Sequence, residues 1–468
     1  MCRRLLIFGM AACLCGCLQP RYHRPTSPVP PVWPDGTVSQ TSAASATEAT
    51  DIKWQEFFTD KRLQSVIALA LANNRDLRIA SLNVEKVQAL YRIQRAQQFP
   101  NVDVTGGADN YYLPTTATIG GFKVPEAVTV KQYNVGLGVA SWELDLFGRI
   151  QSLKHQALEQ YLATQQARSA AQISLVAAVA NAYLSLAADR ENLRLAQTTL
   201  DTQQTSYELI LRSRDAGIAS DLDLRQAQSQ VEAARVDIAR YAGQVALDEN
   251  ALDLLVGAPV GPSLLPSELG SDQALKDLSP GLPSQVLLRR PDILAAEHQL
   301  KGSYANIGAA RAAFFPSITL TGGGGLMSSE LSSLFTGAAK TWSFAPQMVM
   351  PIFDYGTRSA NLKVAKVDRD LAIAEYDKAI QSAFREVSDS LALRTRLTEQ
   401  QDAQQALVNA LDETYRLSDA RYKAGIDSYL SVLVAHRSLY RAQQELVILR
   451  MARLSNRVTL YKVLGGGA

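Results

Sequence analysis

Few residues in this chain are of the types that do covalent or metal chemistry, and their positions decide what remains open. All four cysteines, Cys2, Cys13, Cys15 and Cys17, lie in the first seventeen residues, so the rest of the chain holds no thiol for a nucleophile, a disulfide or a metal site. The histidines His23, His155, His298 and His436 are scattered without metal-ligand spacing. Gly322 to Gly325 could suggest a phosphate loop, but no Gly-Lys-Ser or Gly-Lys-Thr follows, and the run lies inside a strand-like pattern. Glu143 and Asp145 stand at a strand-to-helix junction with no partner acid or nucleophile motif. An enzyme is therefore disfavoured, and neither catalytic residues, a metal nor a dissociable cofactor is expected.

The chemistry that remains is at the N-terminus. Arg3 and Arg4 give a basic start, and the apolar run from Leu5 to Cys15 is too short to span a bilayer, the plan of a secretory signal over residues 1–16. It ends in Leu14-Cys15-Gly16-Cys17, which resembles the lipobox of bacterial lipoproteins, where a small residue precedes the cysteine that is cleaved at and acylated. The resemblance implies that Cys17 becomes the first mature residue and carries covalent lipid. Each buried methylene contributes about 0.8 kcal/mol, so several acyl chains on one cysteine hold a protein to a membrane nearly irreversibly. Leu18 stands where an aspartate would favour inner-membrane retention, so the implied destination is the outer membrane. From Pro20 to Pro34 the proline-rich stretch reads as an extended tether, part of an N-terminal segment over residues 17–60.

The elements behind these residues repeat. Arg95-Ala96-Gln97-Gln98-Phe99-Pro100 recurs as Arg311-Ala312-Ala313-Phe314-Phe315-Pro316, an offset of 216. Ala216-Gly217-Ile218 recurs as Ala424-Gly425-Ile426, and Val256-Gly257 as Leu464-Gly465, both at 208. Repeats over residues 61–257 and 284–465 follow, joined by a linker at 258–283 and closed by 466–468. Each repeat reads as a helix, two strands and two long helices. Asp76 and Asp292 stand where helix N-caps should, and proline ends both helices at Phe99-Pro100 and Phe315-Pro316. Val102 and Val104, then Tyr133 to Val139, alternate with small or polar residues as a strand does; Ile318 and Leu320, then Trp342 to Met350, do so in the second copy.

At 468 residues, 47% hydrophobic, 20% charged and a net charge of +2 with both signs interspersed, the chain buries a core and offers no basic stripe for nucleic acid. No mature segment has 18 continuous apolar residues, which excludes helical membrane spans but leaves a β-barrel open. Four strands cannot close on themselves, so several chains must share one barrel. From Gly148 to about Leu211 there is no proline, and Val179, Leu186, Leu193, Leu200 and Tyr207 recur every seven residues. Such a helix is on the order of 100 Å long. The second copy, from about Arg358 to Tyr422, has Val408, Leu411, Tyr415, Ser418 and Tyr422 at three-four spacing. Each long helix turns back at a glycine, Gly217 or Gly425, with Ser220, Asp221 and Ser428 placed to cap the return helix.

Leu288-Arg289-Arg290-Pro291-Asp292, Trp142-Glu143-Leu144-Asp145-Leu146-Phe147-Gly148-Arg149, Pro351-Ile352-Phe353-Asp354-Tyr355-Gly356 and Leu460-Tyr461-Lys462-Val463-Leu464-Gly465-Gly466 together resemble the TolC-like outer-membrane factor family. They are similar in particular to its lipoprotein branch, which serves resistance-nodulation-division pumps. The resemblance covers nearly all the mature chain. It implies an α+β membrane protein: a homotrimer with a twelve-stranded transmembrane β-barrel, four strands per chain, continuing into a long periplasmic α-helical coiled-coil barrel. It implies an equatorial region built from the segment after the tether, the linker and the C-terminus. The implied partners are outer-membrane lipid, a periplasmic adaptor (membrane fusion) protein meeting the tips at Gly217, Ser220, Gly425 and Ser428, and an inner-membrane transporter that supplies the energy.

The family also implies a closed periplasmic end. Asp419, about one and a half turns before Gly425, resembles the constricting aspartate, with Arg416, Arg421 and Tyr422 as candidate partners in a latch. Threefold symmetry would make a ring of three carboxylates, which raise one another's pKa or recruit a cation. Val434-Ala435-His436 departs from the Asp-Ala-Gln common in relatives. Two alternatives stay open: the duct of a type I protein secretion or metal-efflux system, and a lipid-anchored coiled-coil scaffold without a pore, which would not need the strand pairs.

Overall fold

A computed structural model describes residues 18–34, 52–119, 122–123, 125–270, 275 and 284–467; the signal segment and Cys17 lie outside the described residues. The helices are α1 (Trp54–Phe57), α2 (Lys61–Asn73), α3 (Arg75–Ala96), α4 (Arg149–Asp215), α5 (Asp221–Val256), α6 (Pro291–Ala312), α7 (Thr357–Lys423) and α8 (Tyr429–Val463). The strands are β1 (Asp103–Leu113), β2 (Thr118–Ile119), β3 (Phe122–Lys123), β4 (Val128–Leu144), β5 (Ser317–Ser328) and β6 (Lys340–Val349). The order helix, strand pair, two long helices occurs twice, and the copies agree closely: α4 and α7 each have 67 residues, α5 and α8 have 36 and 35.

Two compact units are built from interleaved stretches: residues 1–25, 85–164 and 296–375, and residues 26–84, 165–295 and 376–468. The first holds an antiparallel sheet in the order β1-β4-β5-β6, with the small β2-β3 hairpin in the β1–β4 connection. Each repeat contributes one pair, and β4 with β5 joins them. The period-two pattern is present in the sequence but not in the burial, because β1 and β6 are exposed at nearly every position. Half-buried positions are confined mostly to the inner strands, β4 and β5. The glycines lie where β4 and β5 run closest: Gly136 faces Gly325 and Gly138 faces Gly323, next to a register shift between Val139 and Trp142.

The second unit is organised around aromatic and aliphatic side chains from its most distant stretches. Tyr461 of α8 stacks on Phe57 of α1 at 4.0 Å between ring centroids, with Val66, Ile67, Leu252 and Val256 fully buried. The linker lies against the long helices: Arg190 donates to the Pro266 carbonyl at 2.7 Å, and the Leu269 amide donates to Glu191 at 3.2 Å. Arg290 is buried and donates to the Val463 carbonyl at 2.7 Å while pairing with Asp292 and Glu386. Three stretches expected in an equatorial region, after the tether, in the linker and at the C-terminus, thus fall in one unit.

Two local expectations change. The cap of α3 is Asn74, whose side-chain oxygen accepts the Leu77 amide at 2.8 Å; Asp76 sits in the first turn, where it complements the helix dipole instead. Asp292 likewise sits in the first turn of α6, its carboxylate taken by Arg290 at 3.0 and 2.7 Å. A buried guanidinium needs a carboxylate, and Asp292 supplies it to Arg290. The exclusion of helical spans also narrows: α4 holds an 18-residue stretch of mean hydropathy 1.5, apolar enough to cross a membrane. Half of that stretch is buried inside the protein, including Val176, Val179, Ala180 and Leu186, so its apolar character is used in packing.

The closeness of β4 and β5 generates a test. A Cβ at Gly325 would lie 2.4 Å from the Val135 carbonyl oxygen, whereas at Gly324 the nearest atom is 3.8 Å away. Overpacking of backbone costs about 1–3 kcal/mol or more. Gly325→Val is expected to abolish folded protein in the outer-membrane fraction, and Gly324→Ala to leave its yield near that of the parent.

Candidate functional site

The two turns at the ends of the long helices are alike in their backbone chemistry. At the α4–α5 turn, Gly217 has φ +77° and the Ile218 amide donates to the Ser213 carbonyl at 2.8 Å. At the α7–α8 turn, Gly425 has φ +72° and the Ile426 amide donates to the Arg421 carbonyl at 3.0 Å. Both are left-handed glycine stops that satisfy carbonyls a helix end leaves open. The side chains differ. Ser220 and Asp223 form a reciprocal capping box on α5, while Ser428 holds the N-cap position of α8 but its hydroxyl makes no capping bond. Ion pairs span both turns: Arg214 meets Asp221 at 3.7 Å across the first, and Arg421 bonds Asp427 across the second.

Behind the turns the two hairpins share a core. Ile210, Leu224 and Ala227 of the first pack with Tyr429, Val432 and Leu433 of the second, flanked by Tyr207, Leu211, Tyr415 and Tyr422. Tyr422 meets Tyr429 edge-on at 5.5 Å, and burial pushes the Tyr429 hydroxyl up to about 12. At the turns themselves apolar side chains face solvent in matched positions: Ile218 is 83% exposed and Ile426 62%, with Leu222 and Leu430 also exposed.

Of the four residues expected in a closed end, only Tyr422 is packed into this core. The Asp419 carboxylate is held by Lys423, one turn on, at 2.7 Å, which raises the lysine's pKa. Arg416 is bonded to Glu413 at 2.8 Å, and Arg421 holds Asp427 below the usual carboxylate range. Within one chain Asp419 thus meets neither arginine. Lys423 and Asp427 are partners that the sequence reading passed over, although Asp419 to Lys423 is a four-residue helical spacing that signals such a pair.

Cys17 lies outside the described residues, but the segment that follows it is held firmly in the first unit. Arg24 and Tyr22 donate to Glu297 of α6 at 2.7 and 3.0 Å, and Lys301 pairs with the same carboxylate at 3.2 Å. Glu297 is 3% exposed at its side chain, and these donors hold its pKa below the ordinary range despite burial. Arg311 at the end of α6 donates to the Leu18 carbonyl at 3.1 Å. The segment therefore runs back along α6, and Leu18 is at the end that leads into β5.

These features coincide with known proteins. The sequence profile of the family described as "Outer membrane efflux protein" matches residues 66–258 and 282–466. Over 470 residues the chain is 46% identical to a Pseudomonas putida protein named toluene efflux pump outer membrane protein TtgC, covering 100% of this chain and 96% of that one. The same identity and coverage hold for a P. putida protein named antibiotic efflux pump outer membrane protein ArpC. The solved open state of the MtrE outer membrane channel of Neisseria gonorrhoeae is similar at a TM-score of 0.86 and 39% identity, over 96% of this chain and 98% of that one. With both repeats matched, a sheet open at its edges and two long hairpins, the chain belongs to the outer membrane efflux protein family and is the outer-membrane channel of an efflux pump.

Proposed function

We propose that three copies of this chain close their sheets into one barrel and line a duct with their long helices, through which small molecules leave passively while an inner-membrane transporter supplies the energy. The observation that carries this is the pair of open edges: among the described residues β1 and β6 have no further strand partner. In hydrocarbon each unsatisfied backbone group costs several kcal/mol, so the edges need strands, and a head-to-tail ring of copies supplies them. Exposed apolar side chains on the helices next to the outer strands in the chain support the same contact: Leu90 and Ile93 on α3, which leads to β1, and Val364, Val367 and Leu371 on α7, which follows β6. Relatives named for toluene and antibiotic efflux support a cargo of apolar small molecules, drugs among them.

Cys17 carries the lipid in this scheme. The docking of Leu18 beside the end of α6 that leads into β5 supports an anchor at the level of the membrane. Mass spectrometry of the mature protein is expected to find residue 17 as its N-terminus with acyl mass attached, and Cys17→Ser to lose that mass. An N-terminus elsewhere removes the anchor.

The tips, Gly217 to Ser220 and Gly425 to Ser428, take a periplasmic adaptor. Their matched isoleucines are the support, since six exposed apolar points around a trimer suit a partner of the same symmetry. Ile218→Asp and Ile426→Asp are each expected to weaken adaptor binding more than about tenfold, or ~1.4 kcal/mol, in a detergent pull-down or calorimetric titration. Unchanged binding excludes the tips.

Asp419 narrows the closed end in a ring of three, each carboxylate partly neutralised by its own Lys423 and backed by the Tyr422 core. Purified protein in planar bilayers is expected to give discrete long-lived steps and a trimer mass in detergent. Asp419→Ala is expected to raise the single-channel conductance. A monomer without conductance removes the duct, and an unchanged conductance in Asp419→Ala removes the gate residue alone.

A further inference from the structure

His436 interrupts an apolar seam. On its tip side α8 contributes Tyr429, Val432 and Leu433 to a buried cluster, and on the other side Leu439 and Ala442 pack with Val408 of α7. Between them His436 Nδ1 meets the Gln203 amide nitrogen of α4 at 2.8 Å, and the ring meets Tyr415 of α7 edge-on at 4.9 Å. Gln203 is itself buried. One imidazole thus joins three of the four helices that make the tips. With the amide N–H donating, Nδ1 is the acceptor and Nε2 carries the proton, so this geometry belongs to the neutral ring.

We propose that His436 is an acid-operated latch: neutral, it ties α8 to α4 and α7, and when protonated it loosens the tip half of the α7–α8 hairpin and shifts the inner end of the channel toward opening. The proposal rests on the reading that Asp419 narrows that end, because Tyr415 precedes Asp419 by one turn of α7 and is the contact through which His436 reaches it. A protonated ring has donors on both nitrogens. Rotation of the Gln203 amide can restore a hydrogen bond but not the hydration that a buried imidazolium lacks.

The titratable groups around this layer are Tyr415 and the Asp419–Lys423 pair on α7, Tyr207 on α4, Asp237 on α5, which accepts from Tyr440 at 3.0 Å, and Tyr429 on α8. None outweighs burial, which alone lowers the histidine's pKa. The direction of the response follows. The closed state binds protons less readily than a state in which the ring is hydrated, with its ordinary pKa of about 6.5. Closure is fully supported above that value and weakens as the pH falls through it toward the lowered closed-state pKa. Each unit of difference shifts the open-to-closed ratio by up to about tenfold per chain.

The test is single-channel recording of the full-length protein at about pH 7.5 and about pH 5.5, which bracket an ordinary histidine. Wild-type conductance or open probability is expected to rise severalfold in acid, and His436→Gln, which keeps a neutral hydrogen-bonding group, to match wild type at neutral pH and lose the rise. Gln203→Glu gives the protonated ring a carboxylate in the closed state and is expected to remove or invert the acid response. A wild-type channel indifferent to acid, or a His436→Gln channel that opens in acid as wild type does, overturns the latch. The gate reading is judged separately by Asp419→Ala at neutral pH.

Discussion

A sheet of four strands leaves a row of N–H and C=O groups along each outer strand, and hydrocarbon offers them nothing. That constraint governs the molecule more than any single contact. It explains why β1 and β6 are exposed on both faces and unpaired along their outer edges in one chain. Inside the sheet the repeats meet at β4 and β5, which run so close that Gly325 has no room for a side chain. The sheet is built as a fraction of a larger object. Its chemistry is complete only when the backbone is.

The second unit follows the opposite logic, with stability taken from within the chain. Tyr461, Phe57 and the aliphatic residues around them tie α1 and α2 to the end of α8, and Arg290 draws the start of α6, the middle of α7 and the end of α8 together through one guanidinium. The N-terminal segment repeats this economy in the first unit, where one buried carboxylate, Glu297, collects an arginine, a lysine and a tyrosine. Such buried ion pairs contribute less to stability than to register: moving one residue along α6 would strand a charge.

Duplication produced two tips with one backbone and two surfaces. The left-handed glycines and the carbonyl bonds at Ser213 and Arg421 are equivalent, whereas Ser220 caps its helix and Ser428 does not. The second tip carries the ion pairs of Asp419 and Asp427, and the return helix behind it carries His436 in an otherwise apolar seam. Both tips carry ion pairs, Arg214 meeting Asp215 and Asp221 at the first, but only behind the second does a buried imidazole join the packed helices.

Much of this was written in local sequence. The lengths of α4 and α7 follow from the absence of proline and the seven-residue recurrence, the turns from Gly217 and Gly425, and the repeat from matched Arg-to-Pro stretches, because helix continuity, left-handed stops and strand alternation are decided within a few residues. Which carboxylate caps and which pairs was not legible: Asn74 caps α3 in place of Asp76, and Asp292 is taken by the buried Arg290 guanidinium. The partner of Asp419 was legible, since Lys423 is one helical turn away, whereas that of Arg421 lies across the turn at Asp427, where only the fold brings the two together. Local patterns were enough for the elements, their order and the incompleteness of the sheet. Tertiary structure decided which charges meet, because a side chain's partner depends on the groups that folding brings beside it and on how far burial has stripped them of water.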